Sequence, residues 1–204
     1  MIAFVGSGGK TTLLKKTAAA LRSWGKRVFV TTTTHMYIEE DTLLCDDAAV
    51  LIRALEEHGY VMAGLPQGKK IGPLSRDTFR AVCAHADAVL VEADGSKGLP
   101  LKFPNGHEPV IPEGTDEIVV VCGLSALGQR AKEVCHRLEL VKACLGIGDD
   151  TLITAEHIQR LVTKGYLEPL KAAYPGVRVT LYPRHDGTPH QRALAEQLQT
   201  GMGD

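Results

Sequence analysis

The stretch Met1–Lys16, MIAFVGSGGKTTLLKK, joins a short apolar run to a glycine-rich turn and the start of a helical pattern. The apolar run Ile2–Val5 is typical of a buried strand. In the turn Gly6–Thr12, glycines allow backbone N–H groups to converge on an anion with no Cβ in the way. A helix that begins here adds free N–H donors and the positive end of its dipole. The stretch therefore predicts a phosphate-binding loop between a strand and a helix.

Each polar group of this loop has an expected partner on a nucleotide. Lys10 is expected to reach the β- and γ-phosphates, and the Thr11 hydroxyl to ligate Mg²⁺. The full motif has a glycine where this chain has Phe4, so the loop is a shortened form, similar to the G-T-x-G-K-T-T loop of Mur-type peptide ligases. The alternative is a merely flexible turn. The predicted phosphate-binding residues are Gly6, Ser7, Gly8, Gly9, Lys10, Thr11 and Thr12.

Composition narrows the class of protein. A chain of 204 residues with 44% hydrophobic residues suits one domain over 1–204, with a small insert or lid around 95–115. A formal net charge of -1 predicts no nucleic-acid or membrane partner. No signal peptide is expected, because no basic segment precedes the first apolar run. Five dispersed cysteines without a C-x-x-C pattern predict buried, reduced thiols and a cytoplasmic location.

Strand-like and helix-like patterns alternate along the chain. The strand-like runs are Ile2–Val5, Arg27–Thr33, Ala88–Glu92, Glu117–Val121 and Val177–Tyr182. The helical patterns are Lys10–Trp24, Asp46–His58, Ser75–His85, Cys135–Leu145, Thr154–Thr163 and Pro189–Gln199. This alternation predicts an α/β fold of three αβα layers with a mostly parallel sheet. Gly64–Gly72 and Gly95–Gly114 show no period and are predicted to be functional loops.

A second half of the site is predicted at the end of the strand Ala88–Glu92. Glu92 and Asp94 are two residues apart, so both are expected on one side of the strand end, where open α/β sheets bind ligands. Asp94 is the predicted Mg²⁺ ligand, directly or through water, while Glu92 shares the metal or orients the nucleophile. The alternative is that one carboxylate caps a turn. Lys97 and Lys102 flank the pair and are candidates to neutralise charge during phosphoryl transfer, with ordinary exposed loop lysines as the alternative.

Other polar residues near predicted strand ends have weaker signals. Thr32, Thr33 or Thr34 is a further metal-ligand candidate, although strands favour threonine anyway. His35 is a candidate proton-transfer group with a structural histidine as the alternative. The pair Lys69-Lys70 is expected to be solvated. The eight histidines show no H-x-x-x-H or H-x-H spacing, so no zinc or copper site is predicted.

Four segments resemble one known family when they are taken together. FVGSGGKTTLL, VTTTTH, VEADGSKGLPLKFPNGHEPVIP and VCGLSALG, with His136-Arg137 beyond them, resemble the YqeC-type selenium-dependent hydroxylase accessory proteins. The resemblance implies a P-loop NTPase fold, ATP or GTP with Mg²⁺, and a role in maturing a molybdenum hydroxylase client. It also implies that His107 and Glu108 lie near the site. His136-Arg137 would contact phosphate or form a charge pair at a helix end.

The chain departs from the family pattern near its last strand. Relatives that resemble GTPases end a late strand with an Asn-Lys-x-Asp-like segment, whereas LYPRHD here has Pro183 and Arg184 at the first two of those positions. Asp186 remains as the predicted contact to the base. The choice between ATP and GTP therefore stays open.

Three kinds of activity remain open from the sequence. They are an assembly NTPase, a small-molecule kinase or ligase with a Mur-like loop, and a nucleotide-gated scaffold without hydrolysis. Related NTPases also allow a homodimer, which the residues of this chain do not specify.

Overall fold

A computed structural model describes residues 1–200. Its strands are β1 (Ile2–Gly6), β2 (Val28–Thr32), β3 (Met36–Tyr37), β4 (Thr42–Leu43), β5 (Tyr60–Ala63), β6 (Leu65–Gln67), β7 (Lys70–Gly72), β8 (Ala88–Glu92), β9 (Leu101–Lys102), β10 (Glu117–Gly123), β11 (Cys135–His136) and β12 (Arg178–Arg184). Its α-helices are α1 (Lys10–Ser23), α2 (Ala48–His58), α3 (Arg76–His85), α4 (Ala131–Val134), α5 (Leu138–Leu145), α6 (Ala155–Val162), α7 (Glu168–Ala173) and α8 (Pro189–Thr200).

The chain forms two compact units. Unit 1 consists of Met1–Phe4, Thr11–Gly95 and Val110–Asp116, and unit 2 consists of Val5–Lys10, Ser96–Pro109 and the chain from Glu117 onward. Over residues 1–200 the central sheet has seven strands, of which β10 and β12 belong wholly to unit 2. Every pairing of these strands within a unit is parallel. The predicted α/β class with a mostly parallel sheet is thus confirmed, with helices flanking the sheet as in three-layer folds.

Unit 1 has its core between the parallel sheet and two helices. The strand order is β1-β8-β2-β5-β4, so the largely buried strands β8, β2 and β5 have a neighbour on each side. Leu51 and Leu55, four residues apart on α2, are both fully buried against this sheet. Val82 of α3 joins the same cluster. The helical spacing of apolar residues on α2 and α3 thus becomes the packed face of each helix.

Unit 1 also contains a small antiparallel sheet in the order β3-β7-β6. The prediction that Gly64–Gly72 is a structureless loop is therefore wrong, because β6 and β7 pair as a hairpin. Gly68 has a φ of 65°, which suits the tight turn between them. The Lys70 ammonium lies 4.7 Å from the centre of the Tyr37 ring. This cation–π contact adds to the backbone pairing of β3 with β7.

Unit 2 corrects the predicted helix Cys135–Leu145. Cys135 and His136 form β11, which pairs with Leu101 and Lys102 of β9. Arg137 then takes a left-handed φ of 61°, which a continuous helix does not allow. The helix therefore begins only at Leu138. The helical pattern in the sequence was real, but pairing with a distant segment overrides its first turn.

The predicted helix Thr154–Thr163 extends further than expected. After α6 the chain makes a π-helical turn, Thr163–Leu167, and continues into α7. A Cβ on Gly165, in this turn, would lie 3.1 Å from Pro104 Cδ and 3.2 Å from Phe103 Cδ2. The loop that contains Phe103 and Pro104 therefore packs closely on this turn, because Gly165 has no side chain in the way.

We expect Leu55→Ala to lower the free energy of unfolding by about 2–5 kcal/mol, because Leu55 is fully buried and its truncation leaves a cavity. Urea denaturation followed by circular dichroism measures the change. Val50→Ala on the same helix is the control, since Val50 is 47% exposed and the expected change stays within about 0.5 kcal/mol. Equal effects of the two substitutions would contradict the placement of this helix.

Candidate functional site

The glycine-rich loop begins where β1 ends, and its first glycine is enclosed by backbone. Gly6 has a φ of 87°, and a Cβ built on it would lie 2.1 Å from the carbonyl oxygen of Val121. The next residue, Ser7, donates its backbone N–H to that same oxygen at 2.8 Å. The loop is therefore held against β10 at a separation that no side chain at position 6 allows.

The other two glycines of the loop are equally restricted. A Cβ on Gly8, at a φ of 79°, would lie 2.6 Å from Gly123 Cα and 2.8 Å from the Pro100 oxygen. A Cβ on Gly9, at a φ of 131°, would lie 2.3 Å from Cδ of Arg184. Gly6 and Gly8 therefore demand glycine through both backbone conformation and space, whereas Gly9 demands it through its φ, since its close neighbour is a side chain that can move. This distinguishes the loop from a turn that is simply flexible.

Lys10 begins α1 and its side chain returns over the loop. It is 4% exposed, and Nζ donates a hydrogen bond to the Gly6 carbonyl oxygen at 2.7 Å. Ser7, which is 2% exposed, donates its hydroxyl to the Pro100 oxygen at 3.0 Å. Thr12, the last predicted loop residue, is exposed on the first turn of α1. The loop thus carries a buried ammonium above a set of backbone groups.

In unit 1, the Thr11 hydroxyl contacts one of the two carboxylates that were predicted at the metal site. Its hydroxyl donates to Glu92 Oε2 at 2.8 Å. Glu92 is 6% exposed and Asp94 is fully buried. The parallel register places Phe4 of β1 and Thr32 of β2 opposite Glu92, which fixes the carboxylate at the strand end that precedes the loop. The structure therefore places the Thr11 hydroxyl on Glu92, whereas the predicted Mg²⁺ ligand was Asp94, and a metal shared by these residues stays a prediction.

The threonines after β2 have separate structural tasks. Thr31 and Thr33 donate their hydroxyls to the carbonyl oxygens of Ala63 and Val110, at 2.8 Å and 2.7 Å. Thr32 donates to the backbone oxygen of Glu92 at 2.7 Å. Within residues 1–200 the buried Thr34 hydroxyl has no hydrogen-bond partner. Thr34 is thus the threonine of this run whose hydroxyl makes no hydrogen bond within residues 1–200.

Lysines of the long loop in unit 2 differ in their surroundings. Lys97 is exposed, with a φ of 50°. Lys102 is buried, which excludes the alternative of an exposed loop lysine, and its Nζ lies 2.6 Å from Glu108 Oε2. Arg137 NH2 lies 3.0 Å from the same oxygen. Two cations thus share one carboxylate, and burial together with the charge of Arg137 lowers the pKa of the adjacent His136.

The remaining predicted residues have local partners. His35 is exposed and its Nε2 lies 2.5 Å from Gln67 Oε1. Asp186 accepts the backbone N–H of Thr188 at 2.9 Å, which lowers the pKa of its carboxyl. This hydrogen bond gives Asp186 a structural role just before α8. A contact between Asp186 and the nucleotide base stays a prediction. His107 is exposed on its loop.

One residue near the loop was missed by the sequence reasoning. Arg184 was read only as a departure from the family pattern, yet its side chain lies against Gly9 of the phosphate loop. The signal was present as a cation at the end of a strand. Its contact with Gly9 depends on the pairing of β12 with β10, in which Arg184 is opposite Gly123. Nothing in the local sequence indicates that pairing.

The histidine spacing predicted no zinc or copper site, whereas Mg²⁺ was predicted at Thr11, Glu92 and Asp94. In the part of the chain from 1 to 200 no group of three or more His, Cys, Asp and Glu side chains could hold a metal ion. In that same part, no helix has both the length and the apolar character needed to cross a membrane. The five cysteines are free, and only Cys122 and Cys135 are fully buried. Burial raises the pKa of the Cys122 thiol to about 12, so it is a poor nucleophile.

Comparison with known proteins identifies relatives over most of the chain. Residues 2–139 match the family model described as YqeC protein. A curated relative, the uncharacterized protein YqeC of Escherichia coli (strain K12), is 33% identical over 171 residues, an alignment that covers 79% of this chain and 67% of the relative. No solved structure matches the chain. The glycine loop and Glu92 fall inside the family match, whereas Arg184 lies beyond it.

We expect Gly6→Ala to destabilise the protein by more than Gly25→Ala. Both glycines have positive φ, so both substitutions carry conformational strain of about 1–2 kcal/mol. Only at Gly6 does the added Cβ meet backbone, since nothing lies within 4 Å of a Cβ on Gly25. The clash should add roughly 1–3 kcal/mol. Urea denaturation of both variants measures the difference, and equal losses would mean that the loop does not approach Val121 this closely.

Proposed function

Because the chain belongs to the YqeC protein family, as its motifs predicted, we propose that it binds a nucleoside triphosphate with Mg²⁺ and hydrolyses it. The phosphates would lie on the loop Gly6–Thr12, and the metal at Thr11, Glu92 and Asp94. The proposal rests chiefly on one observation: three glycines of the loop have positive φ, and two of them meet backbone where a Cβ would be, immediately before a helix that begins at Lys10.

The loop has the features that an anion needs. The Ser7 N–H is bonded to the Val121 oxygen. The phosphate donors in the proposal are therefore the N–H groups of Gly8 and Gly9 and the free N–H groups and dipole of α1. Lys10 is already above the loop, with its ammonium on the Gly6 oxygen. Exchanging that carbonyl for phosphate oxygens replaces a neutral acceptor with a charged one, which makes a stronger hydrogen bond.

Thr11 is oriented for metal binding by Glu92. When the hydroxyl donates its proton to the carboxylate, its two lone pairs are left for a cation. Glu92 would then contact the metal through a water molecule, and Asp94 is the proposed second protein ligand. Bound Mg²⁺ neutralises charge on the β- and γ-phosphate oxygens. Hydroxyl and carboxylate oxygens suit this ion, which keeps several waters of its own.

For the reaction itself, positioning and charge matter more than covalent chemistry. In the proposal, Lys10 holds the transferred phosphoryl group, while Glu92 orients the attacking water. Lys97, which is exposed, remains a proposed cation for the charge that develops during transfer. Arg184 is a further proposed phosphate contact because it lies beside Gly9. ATP and GTP remain alternatives for the nucleotide.

The family resemblance carries the proposal to a biological role. A protein that assists a selenium-dependent molybdenum hydroxylase would use nucleotide hydrolysis to alternate between states that bind and release this client. Such a protein turns over slowly alone and faster with the client. A cytoplasmic location is part of the same proposal.

We expect Lys10→Ala to abolish nucleotide binding without unfolding the protein. In wild-type protein, ligand at ~100 times its Kd should add about 2.7 kcal/mol of stability. For a chain of this size that raises the melting temperature by roughly 5–10 °C. Differential scanning fluorimetry with ATP, GTP, CTP and their diphosphates, each with and without Mg²⁺, measures this shift. The matched control is Lys16→Ala, which removes an exposed lysine from the same helix.

The three possible outcomes of this experiment lead to different conclusions about the loop. A Mg²⁺-dependent shift for one base, lost in Lys10→Ala and kept in Lys16→Ala, supports the proposal and identifies the base. A shift that survives in Lys10→Ala would contradict the assignment of the loop. The absence of any shift in the wild-type protein would favour a scaffold that binds nucleotide only with its client.

We expect Thr11→Val to remove the metal-dependent part of nucleotide affinity. Valine has a similar shape but cannot ligate Mg²⁺, so the affinity measured with Mg²⁺ should fall to the value measured with EDTA. Thr11→Ser, which retains the hydroxyl, should restore most of the difference. Isothermal titration calorimetry gives both affinities. If Thr11→Val retained its full Mg²⁺ dependence, the metal site would have to be elsewhere.

A further inference from the structure

Unit 1 contains a cavity that the proposed nucleotide site does not use. Its volume is about 390 Å³, within the range of small-molecule sites. It lies beside the end of β2 and the first turns of α3. The residues around it are Thr32, Thr33, Pro73, Leu74, Arg76, Phe79, Arg80, Pro112, Glu113 and Gly114.

The lining combines an apolar wall with two cations. Leu74 and Phe79 provide apolar surface for the body of a ligand. Arg76 and Arg80, one helical turn apart on α3, both direct a guanidinium NH2 to Glu113 Oε2, at 3.3 Å and 2.8 Å. Two positive charges and one negative charge leave the cavity with a net positive charge. The chemistry suits an apolar molecule with one anionic group.

Glu113 holds the place that such an anionic group would take. Its side chain is 80% exposed, and those of Arg76 and Arg80 are 72% and 56% exposed. Ion pairs as exposed as these are weak, because water and salt screen them. A ligand carboxylate or phosphate that also buries apolar surface on Phe79 therefore displaces Glu113 with little loss. Glu113 acts as a stand-in for the ligand anion.

The inner end of the cavity is connected to the proposed metal site. Thr32 donates its hydroxyl to the backbone oxygen of Glu92, and Thr33 donates its N–H to the same oxygen at 3.1 Å. Both threonines line the cavity. A molecule held there would lie next to the strand end that carries Glu92. This is where an acceptor for a phosphoryl group, rather than a distant effector, belongs.

We propose that this cavity binds the second substrate of the protein, a small organic anion with an apolar body, on Arg76, Arg80 and Phe79. The inference rests on the proposed function in one respect, since a second substrate presumes a nucleotide as the first. With this molecule as an acceptor besides water, one of its oxygens would bond to the γ-phosphorus while the bond to the β-phosphate oxygen breaks and the nucleoside diphosphate leaves. Binding of the anion itself needs no nucleotide and is tested on its own.

The test uses three aromatic probes of similar size and different charge. Benzoate and phenyl phosphate carry an anionic group, and benzamide is their neutral counterpart. Saturation-transfer NMR on the wild-type protein without nucleotide should detect the two anions and not benzamide. Binding should weaken as ionic strength rises. Competition between phenyl phosphate and inorganic phosphate shows whether the apolar body contributes, since inorganic phosphate should bind far more weakly.

Three variants assign the binding to this cavity. Arg80→Gln should weaken benzoate binding by roughly threefold to tenfold, because it removes a charged hydrogen-bond donor. Glu113→Gln should strengthen it by a similar factor, since the competing carboxylate is gone. Arg53→Gln, an exposed arginine on α2, is the matched control and should change nothing. A salt bridge with only a structural role predicts no gain of binding in Glu113→Gln.

Failure of this inference and failure of the proposed function are distinguishable. Absence of saturation transfer to either anion would overturn the inference, as would anion binding that Arg80→Gln and Glu113→Gln leave unchanged. Lys10→Ala should keep full benzoate binding even though it loses the nucleotide. Loss of benzoate binding in Lys10→Ala would mean that the anion occupies the phosphate loop, and the cavity assignment would be wrong.

Discussion

A buried carboxylate, that of Glu92, is the group around which unit 1 is arranged. Burying an ionised carboxylate is costly unless hydrogen bonds or cations compensate for lost water. Thr11 of α1 donates to the Glu92 side chain, and Thr32 and Thr33 donate to its backbone oxygen. The same residue therefore joins the first helix to two strands. A group of this kind is a poor choice for stability alone, which is why we assign it to the nucleotide site.

The glycine loop imposes a second constraint, this time in unit 2. Gly6 and Gly8 approach backbone so closely that β10 and the loop around Pro100 determine its path. Pro100 accepts from both the Ser7 hydroxyl and the Gly123 N–H, each at 3.0 Å. The loop is thus preformed, so little conformational entropy remains to be lost when an anion binds. A rigid cradle fits tight phosphate binding better than a segment that folds only around its ligand.

Local patterns in the sequence predicted what local interactions decide. The apolar run Ala88–Glu92 became β8 with the predicted bounds, because a parallel strand buried on both faces needs continuous apolar residues. The glycine loop was predictable because backbone conformation is encoded in its own residues. The hairpin at 65–72 was missed, because its two strands have only three residues each and show no apolar period. All three residues of β6 are exposed.

What the sequence could not reveal depends on contacts between distant segments. Lys102 looked like an ordinary loop lysine, but pairing of β9 with β11 buries it against Glu108. From the sequence, Arg184 was only a departure from the family pattern. The β10–β12 register places its side chain beside Gly9. The cavity beside α3 shows the same limit. Its two arginines are visible as a helical pair, but Glu113 belongs to a segment more than thirty residues away in the chain.

Coupling between the cavity and the proposed metal site needs a physical route with two states, not proximity alone. Thr32 and Thr33 supply the route, because each contacts the Glu92 backbone and lines the cavity. In the proposal Glu113 supplies the two states, with its carboxylate either on the arginines or displaced by an anion. Thr33 also donates its hydroxyl to the Val110 oxygen, so a hydrogen bond joins the segment that leads to Glu113 to the end of β2. By linkage, a nucleotide that alters Glu92 must then alter anion affinity by the same factor that the anion alters nucleotide affinity.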